Sequence, residues 1–429
     1  MHAVTQYWKT LSASLRIRNY RLYFIGQAVS ISGTWMQTIA LGWLILTLTG
    51  SGSQLGLVLA LQFLPLLLVT PLGGLLADAF DKRKLLFITQ AVLAVLPLAL
   101  GLLIIADRIE MWMVYCFALA LGLANAIDHP ARQTFVHELV GSGNLRNAIA
   151  LNSTLANLAR AIGPSIGGVL IATLGIGFCF LFNALSYLPL IAALVYIRGK
   201  ELHRSVRQPR AKGQLKEGWR YATSHPVIRS ILLMAAVTGT FAYEFQVTLP
   251  LLAQGVFGSG VGDYAALWVA MGVGSVIGGL FAAGRSEIAP RHLIFFTLFF
   301  GVSLIATALT PSLALAIVGM GFVGFFSINV LSLANTMLQL ESAPHMRGRV
   351  MSLWTMAMLG STPVGGPIIG FVGEHFGGRW SLGIGGIAAL ASIVFILFLL
   401  RRDTLRQVPA TVQVGLRKTE LAEELQLRD

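Results

Sequence analysis

The sequence predicts an all-α membrane protein with twelve transmembrane helices in two pseudo-symmetric six-helix halves. Three observations predict it. Twelve apolar stretches are each long enough to cross a bilayer, basic residues crowd into the loops of one side, and short motifs recur in the same order in both halves of the 429-residue chain.

The stretches come first. A helix rises about 1.5 Å per residue, so roughly 20 apolar residues span a hydrocarbon core of about 30 Å. They fall at 22–48, 53–77, 84–106, 111–128, 147–174, 177–197, 227–252, 262–284, 291–310, 312–336, 349–373 and 380–400. Hydrophobic residues make up 55% of the chain and charged residues 11%, against about 25% charged in a soluble domain. Loops such as Thr49–Gly52 and Thr310–Pro311 are so short that neighbouring helices are forced into antiparallel hairpins.

Organisation follows from the polar segments. Residues 1–21 read as a basic lead (Lys9, Arg16, Arg18, Arg21), and the apolar stretch behind them is too long for a cleavable signal. Residues 22–197 form the first six-helix bundle and 227–400 the second. The basic segment 198–226, read as a loop, links them, and 401–429 is a tail with one short helical pattern at 416–427.

The net charge is +13, and its placement argues against nucleic acid. Among 31 lysines and arginines, only Arg108 and Arg379 fall in loops of one side, and Arg160 falls within a span. The others lie on the opposite side, which the positive-inside rule makes cytoplasmic. Both termini are then cytoplasmic, as an even number of spans requires.

Several chemistries lack their signatures. No Gly-x-x-x-x-Gly-Lys-Ser/Thr loop points to ATP hydrolysis, and no HExxH, Cys/His cluster or Gly-x-Ser-x-Gly elbow points to a metalloenzyme or hydrolase. Cys116 and Cys179, the two cysteines, lie inside spans and read as small buried hydrophobes. The reading is therefore of no enzyme and no cofactor.

The halves look duplicated. Gly73-Gly74-Leu75-Leu76-Ala77-Asp78 follows the second span and Gly278-Gly279-Leu280-Phe281-Ala282-Ala283 the eighth. Gly163-Pro164-Ser165-Ile166-Gly167-Gly168 in the fifth span is echoed by Thr362-Pro363-Val364-Gly365-Gly366 in the eleventh, and Glu138 and Arg146 by Glu341 and Arg349. Paired six-helix halves suit transporters that rock around a central site.

The loop Gly74-Leu75-Leu76-Ala77-Asp78-Ala79-Phe80-Asp81-Lys82-Arg83-Lys84 resembles the signature between the second and third spans of the major facilitator superfamily. Gly74, Leu76, Ala77 and Asp78 match it, and Lys82 and Arg83 match in charge. Ala79 stands for the usual Arg and Asp81 for the usual Gly. The resemblance implies a latch between the halves on the cytoplasmic side, with Asp78 facing a helix N-terminus of the other half. Gly163, Pro164, Gly167 and Gly168 resemble the fifth-span motif of facilitator antiporters, with Ala159 where that family often has Gly. Over about 20–400 the chain is similar to the drug/proton antiporter branch that includes macrolide effluxers and the enterobactin exporter. Asp128-His129-Pro130-Ala131-Arg132, with Asn147 and Asn152 following, resembles that branch too.

Ionisable groups inside spans are costly and mark function by default. Arg160 lies about 20 Å along the fifth helix, before the Gly-Pro pair; it suits an anionic substrate or an interhelical ion pair. Glu244 in the outer half of the seventh span suits a proton-coupling group, because a carboxylate away from water favours its neutral form, or it reaches the outer interface. Asp128, read at the cytoplasmic end of the fourth span, suits pairing with Arg132 or capping of backbone near Pro130. Asn152 and Gln37, with Asn125, Asn157, Asn183 and Asn329, suit interhelical hydrogen bonds or a cavity lining. Trp35, Phe241, Tyr243 and Phe245 suit an aromatic wall or lipid contact.

The expected activity is proton-coupled export of hydrophobic or amphiphilic small molecules by alternating access. Export of a siderophore or other anionic metabolite is the alternative, uptake by symport a second, and a non-transporting receptor or scaffold a third. The expected partners are a small-molecule substrate, protons and the lipid bilayer, and the resemblance implies a monomer in a bacterial inner membrane.

Overall fold

The structure, a computed structural model, describes residues 13–203, 214–285 and 288–406; the side chains of 71–79, 146, 157, 161, 214–216 and 398–406 lie outside that description. Twelve long apolar helices are present: α1 (Arg18–Thr49), α2 (Gly52–Ala79), α3 (Lys82–Ile105), α4 (Met111–Leu145), α5 (Asn147–Leu174), α6 (Ile176–Tyr196), α7 (Pro226–Val256), α8 (Val261–Ala283), α9 (Pro290–Ala308), α10 (Leu313–Glu341), α11 (Arg347–His375) and α12 (Gly378–Arg406). There is no strand among the described residues. Each apolar stretch became a helix because, away from water, a backbone must satisfy its own N–H and C=O groups.

Three local readings are corrected. The fourth stretch does not end near 128. His129-Pro130-Ala131-Arg132 continues the helix to a left-handed Gly141 (φ 65°), where the chain turns into α5. The hydropathy dipped at 128–138 because polar groups are paired inside the bundle, so composition misplaced the boundary. The linker is not wholly a loop either: Gln214–Ser224 is helical. It docks on the start of α11, where Glu217 pairs with Arg349 at 2.8 Å and the Tyr221 hydroxyl accepts the Ala343 N–H at 3.0 Å. Finally, α7 is interrupted at Ala242–Glu244 and closes with a π-turn at Leu251–Val256 just after Pro250. The helical pattern at 416–427 lies outside the described residues.

Glycines set the packing and display the pseudo-symmetry. In the first half α3 meets α6 where Gly101 and Gly177 face each other: a Cβ on either would lie 2.9 and 3.1 Å from the other's carbonyl. In the second half α9 meets α12 through Gly301 and Gly386 with the same reciprocal fit, at 2.9 and 2.8 Å. Such close backbone approach is how small residues substitute for a hydrophobic drive in lipid.

Between halves, α2 packs on the last part of α11, Gly52 and Gly56 against Gly370 and Gly366, and Gly168 of α5 packs on Ala265 of α8. Trp43 stacks on Tyr264 and Trp35 meets Trp268, each pair 5.9 Å apart. These junctions lie toward the end of the bundle away from the basic loops. The first part of α11, Arg347–Met358, packs instead on α7 and the linker helix of its own half.

One helix carries its own control for this packing. A Cβ at Gly274 of α8 would run into the Gly321 backbone, whereas one at Gly279 meets nothing within 4 Å. Gly274→Ala should cost about 1–3 kcal/mol, and Gly279→Ala should stay within about 0.5 kcal/mol of wild type. Thermal unfolding of both variants in detergent tests this.

Candidate functional site

Two polar centres lie within the bundle, and they differ in how completely their charges are met. The first is Asp128, 1% exposed, deep in the first half. Arg132 follows one turn later and donates from Nε and Nη2 to Oδ2 at 2.9 and 2.6 Å. From α3 the Thr89 hydroxyl and the Gln90 amide each donate to Oδ1 at 2.7 Å. Every Asp128 oxygen thus has two donors. Of the two roles open to Asp128, pairing with Arg132 is the one present. About ten residues along α4, Glu138 pairs with Lys82 at 2.6 Å and so marks the basic end. At 1.5 Å per residue Asp128 lies roughly 15 Å deeper.

The second centre sits between the halves. Arg160 reaches from α5 over the Trp35 ring of α1, its guanidinium carbon 5.0 Å from the centroid. Trp268 of α8 meets Trp35 at 5.9 Å between ring centroids, and Tyr243 of α7 lies within electrostatic range of Arg160. No carboxylate pairs with Arg160 among the described residues, and its buried Nε has no hydrogen-bond partner there. Four helices, two from each half, therefore converge on one mid-membrane cation with aromatic neighbours.

Glu244 does not join that centre. It is buried at the break in α7, and its Oε1 has no hydrogen-bond partner among the described residues. The carboxyl faces α11: a Cβ on Gly365 would lie 3.0 Å from Oε1, and Thr362 stands beside it. The adjoining Tyr243 turns the other way, donating its hydroxyl to the Ser327 carbonyl at 3.1 Å.

Asn183 of α6 donates to Gln37 Oε1 at 2.5 Å, so Gln37 joins α1 to α6 inside the first half. Asn152 accepts from the Tyr20 hydroxyl at 3.2 Å, joining α5 to α1. Gly163 and Gly167 pack on Trp35 and Met36 of α1, and Gly168 faces α8 of the other half. Pro164 lies inside the α5 helix. Gly74 and Asp78 lie on α2, but their surroundings are outside the described side chains. Arg83 donates to the carbonyls of Leu194 and Val195 at 2.5 and 2.7 Å, closing the C-terminal end of α6. Asp81 caps α3 by accepting from the Lys84 N–H at 3.2 Å.

Sequence reasoning missed Trp268 and Glu374. Nothing in the sequence sets Trp268 apart from the other aromatics of apolar helices. Glu374 has no sequence signal beyond an acid at a helix end, yet its carboxylate crosses to the other half and accepts from the Ser51 hydroxyl at 2.7 Å and the Ser53 N–H at 2.8 Å.

A twelve-helix bundle with glycine-packed halves and a central cation defines a membrane transporter of the facilitator type. The family profile described as "Transmembrane secretion effector" matches residues 9–428. The chain belongs to that family of the major facilitator superfamily. It is 24% identical to the staphyloferrin A transporter of Staphylococcus aureus, over 90% of this chain and 97% of the relative. It is likewise 24% identical to the enterobactin exporter EntS of Escherichia coli O139:H28, over 92% and 94%. Among solved structures it resembles a POT family transporter in complex with 5-aminolevulinic acid (TM-score 0.72, 11% identity, 89% and 95% covered). It also resembles a bacterial homologue of the lysosomal transporter Spinster (TM-score 0.66, 18% identity, 92% and 99% covered). At these identities the two structures speak for the fold alone.

The Asp128 centre generates a stability prediction. Asp128→Ala leaves Arg132, its side chain 20% exposed, without its carboxylate and should cost about 3 kcal/mol, the low end for breaking a buried pair. Replacing both partners, as Asp128→Ala with Arg132→Met, should recover much of that loss. Melting temperatures of the two variants and wild type, followed by size-exclusion fluorescence, check it.

Proposed function

We propose that this protein exports an anionic small metabolite of the siderophore kind from the cytoplasm, by alternating access driven by proton entry. The single observation that carries the reading is Arg160, a mid-membrane cation with no carboxylate partner among the described residues, standing where both halves converge. A charge in that position is expensive to keep unless it serves a ligand. An anion supplies the missing counter-charge, and the half-buried Trp35 ring beneath the guanidinium offers flat apolar surface to the rest of the molecule. The names of the relatives, transporters of staphyloferrin A and of enterobactin, support the same substrate class. Export of neutral hydrophobic compounds is disfavoured because nothing in such a substrate would neutralise Arg160.

In this reading the basic end is cytoplasmic, the bilayer is a bacterial inner membrane, and the working unit is a monomer. Substrate enters between the halves from the basic end and settles against Arg160. Glu244 carries the coupling proton: it is buried beside the break in α7 and against α11, two helices that must shift when the halves rock. Broken helices lining such sites are how transporters free polar groups at membrane depth. A potential of 100 mV gives about 2.3 kcal/mol per proton, enough for a gradient of roughly fifty-fold. Asp78, Lys82 and Arg83 belong to the cytoplasmic latch, Lys82 and Arg83 by holding its loop to α4 and α6.

The test is proton flux in proteoliposomes containing a pH-sensitive dye, with a siderophore panel and neutral macrolides as substrates. Wild type should move protons when an anionic siderophore is present. Arg160→Ala should weaken the apparent affinity about tenfold or more, a loss of 1.4 kcal/mol or above, with Arg160→Lys intermediate. Glu244→Gln should bind substrate yet uncouple it from protons. Siderophore-independent flux with macrolides, unaltered in Arg160→Ala, would sink the anion reading.

A further inference from the structure

α2 begins with an unusual cap. Its first N–H groups have no partner within the helix. Ser51 supplies one acceptor from its own half, its Oγ taking the Gln54 N–H at 3.2 Å. The second comes from the other half: Glu374 Oε2 accepts the Ser53 N–H at 2.8 Å and the Ser51 hydroxyl at 2.7 Å. Two oxygens, one from each half, thus share the N-terminus of one helix, and the negative one faces the positive end of the helix dipole. These are the hydrogen bonds that join the two halves among the described residues.

Their position matters. Glu374 lies at the last turn of α11, and the same two helices touch directly beneath it, Gly52 on Gly370 and Gly56 on Gly366. Those glycine contacts hold the helices by close fit alone and include no hydrogen bond between the halves. A carboxylate on an N–H and a hydroxyl fixes both register and closure. Glu374 is itself exposed, so a water molecule can replace either donor when the helices part, and the contact can be broken and remade in every cycle.

We propose that Glu374 is a reversible latch: it caps α2 across the halves and holds the end of the transporter away from the basic loops closed. The proposal rests on the alternating-access cycle above but not on the identity of the substrate. Glu374 is then a positioning residue that sets the balance between the two open states and touches no substrate. Loss of a cap of this kind moves a two-state balance about fivefold.

Ala265 reports that balance, being packed on Gly168 at the junction of α5 and α8 near the same end. The experiment labels Ala265→Cys with a bulky hydrophilic maleimide in nanodiscs, where both faces are reachable, without substrate, in a Cys116→Ala background. Cys179, fully buried in the first half, stays as the internal marker of folded protein. Glu374→Ala should label position 265 about fivefold faster while Cys179 stays protected. Ser53→Pro, which deletes the donor N–H at a position in the first turn where proline is tolerated, should do the same. The double variant should be no faster than either single one, because one contact has been removed twice. His375→Ala, one residue along, should leave the rate unchanged. An unchanged rate in Glu374→Ala, or rates in the double variant that multiply, would overturn the latch. Neither outcome bears on Arg160 or on the substrate, so this test and the flux test fail independently.

Discussion

A charge in hydrocarbon must find a counter-charge or serve a purpose, and that constraint organises this molecule. It keeps nearly all lysines and arginines in the loops of one side. It explains why Asp128 and Arg132, one helical turn apart, are tied by two hydrogen bonds and why Thr89 and Gln90 occupy the remaining lone pairs. A buried pair so completely satisfied adds rigidity to the first half but has little freedom to exchange a proton or meet a ligand. Arg160 is the contrasting case, with an aromatic face and no carboxylate partner among the described residues. Two cations in neighbouring helices of one half thus have opposite settings: one closed by its own bundle, the other left open toward the second bundle.

The same absence of water decides where helices may break. The α7 interruption at Ala242–Glu244 exposes backbone that lipid would not tolerate. It lies instead against glycines: Thr240 and Phe241 carbonyls abut Gly365 of α11 and Gly385 of α12. α11 is interrupted just before Thr362-Pro363, as proline requires. The two irregular segments face each other with Glu244 between them. Local backbone chemistry, packing and the one buried carboxylate oxygen without a hydrogen-bond partner among the described residues therefore coincide at a single place in the second half.

Much of this was legible in the sequence because length and composition alone specify a membrane helix. The spans, the six-plus-six division and Arg160 as the odd charge needed no tertiary knowledge. What escaped has physical reasons. The end of α4 was misplaced because a paired Asp128 and Arg132 depress local hydropathy as a loop would. Gln37 could be flagged as polar, but its partner Asn183 is 146 residues away, and no spacing rule reaches that far. The break in α7 has no proline at its centre; Thr238 and Thr240 hydroxyls bonding back to Met234 and Ala236 are its only local sign. Glu374 has the spacing and composition of any interfacial acid, and only the approach of the other half gives it donors.

Contacts within the halves differ in kind from contacts across them. Inside each half the polar ties are buried and hard to exchange for water: an ion pair at Asp128 and a 2.5 Å amide bond at Gln37. Across the halves, the described polar tie is one exposed carboxylate on a helix end, beside smooth glycine and aromatic surfaces. A transporter that alternates must keep its two states within a few kcal/mol of each other, or one of them is never visited. Strong buried bonds across the junction would violate that limit, since each broken one leaves groups unsatisfied at membrane depth. Rigid halves joined by a weak, water-replaceable contact satisfy it, and the distribution of polar groups along this chain is of that form.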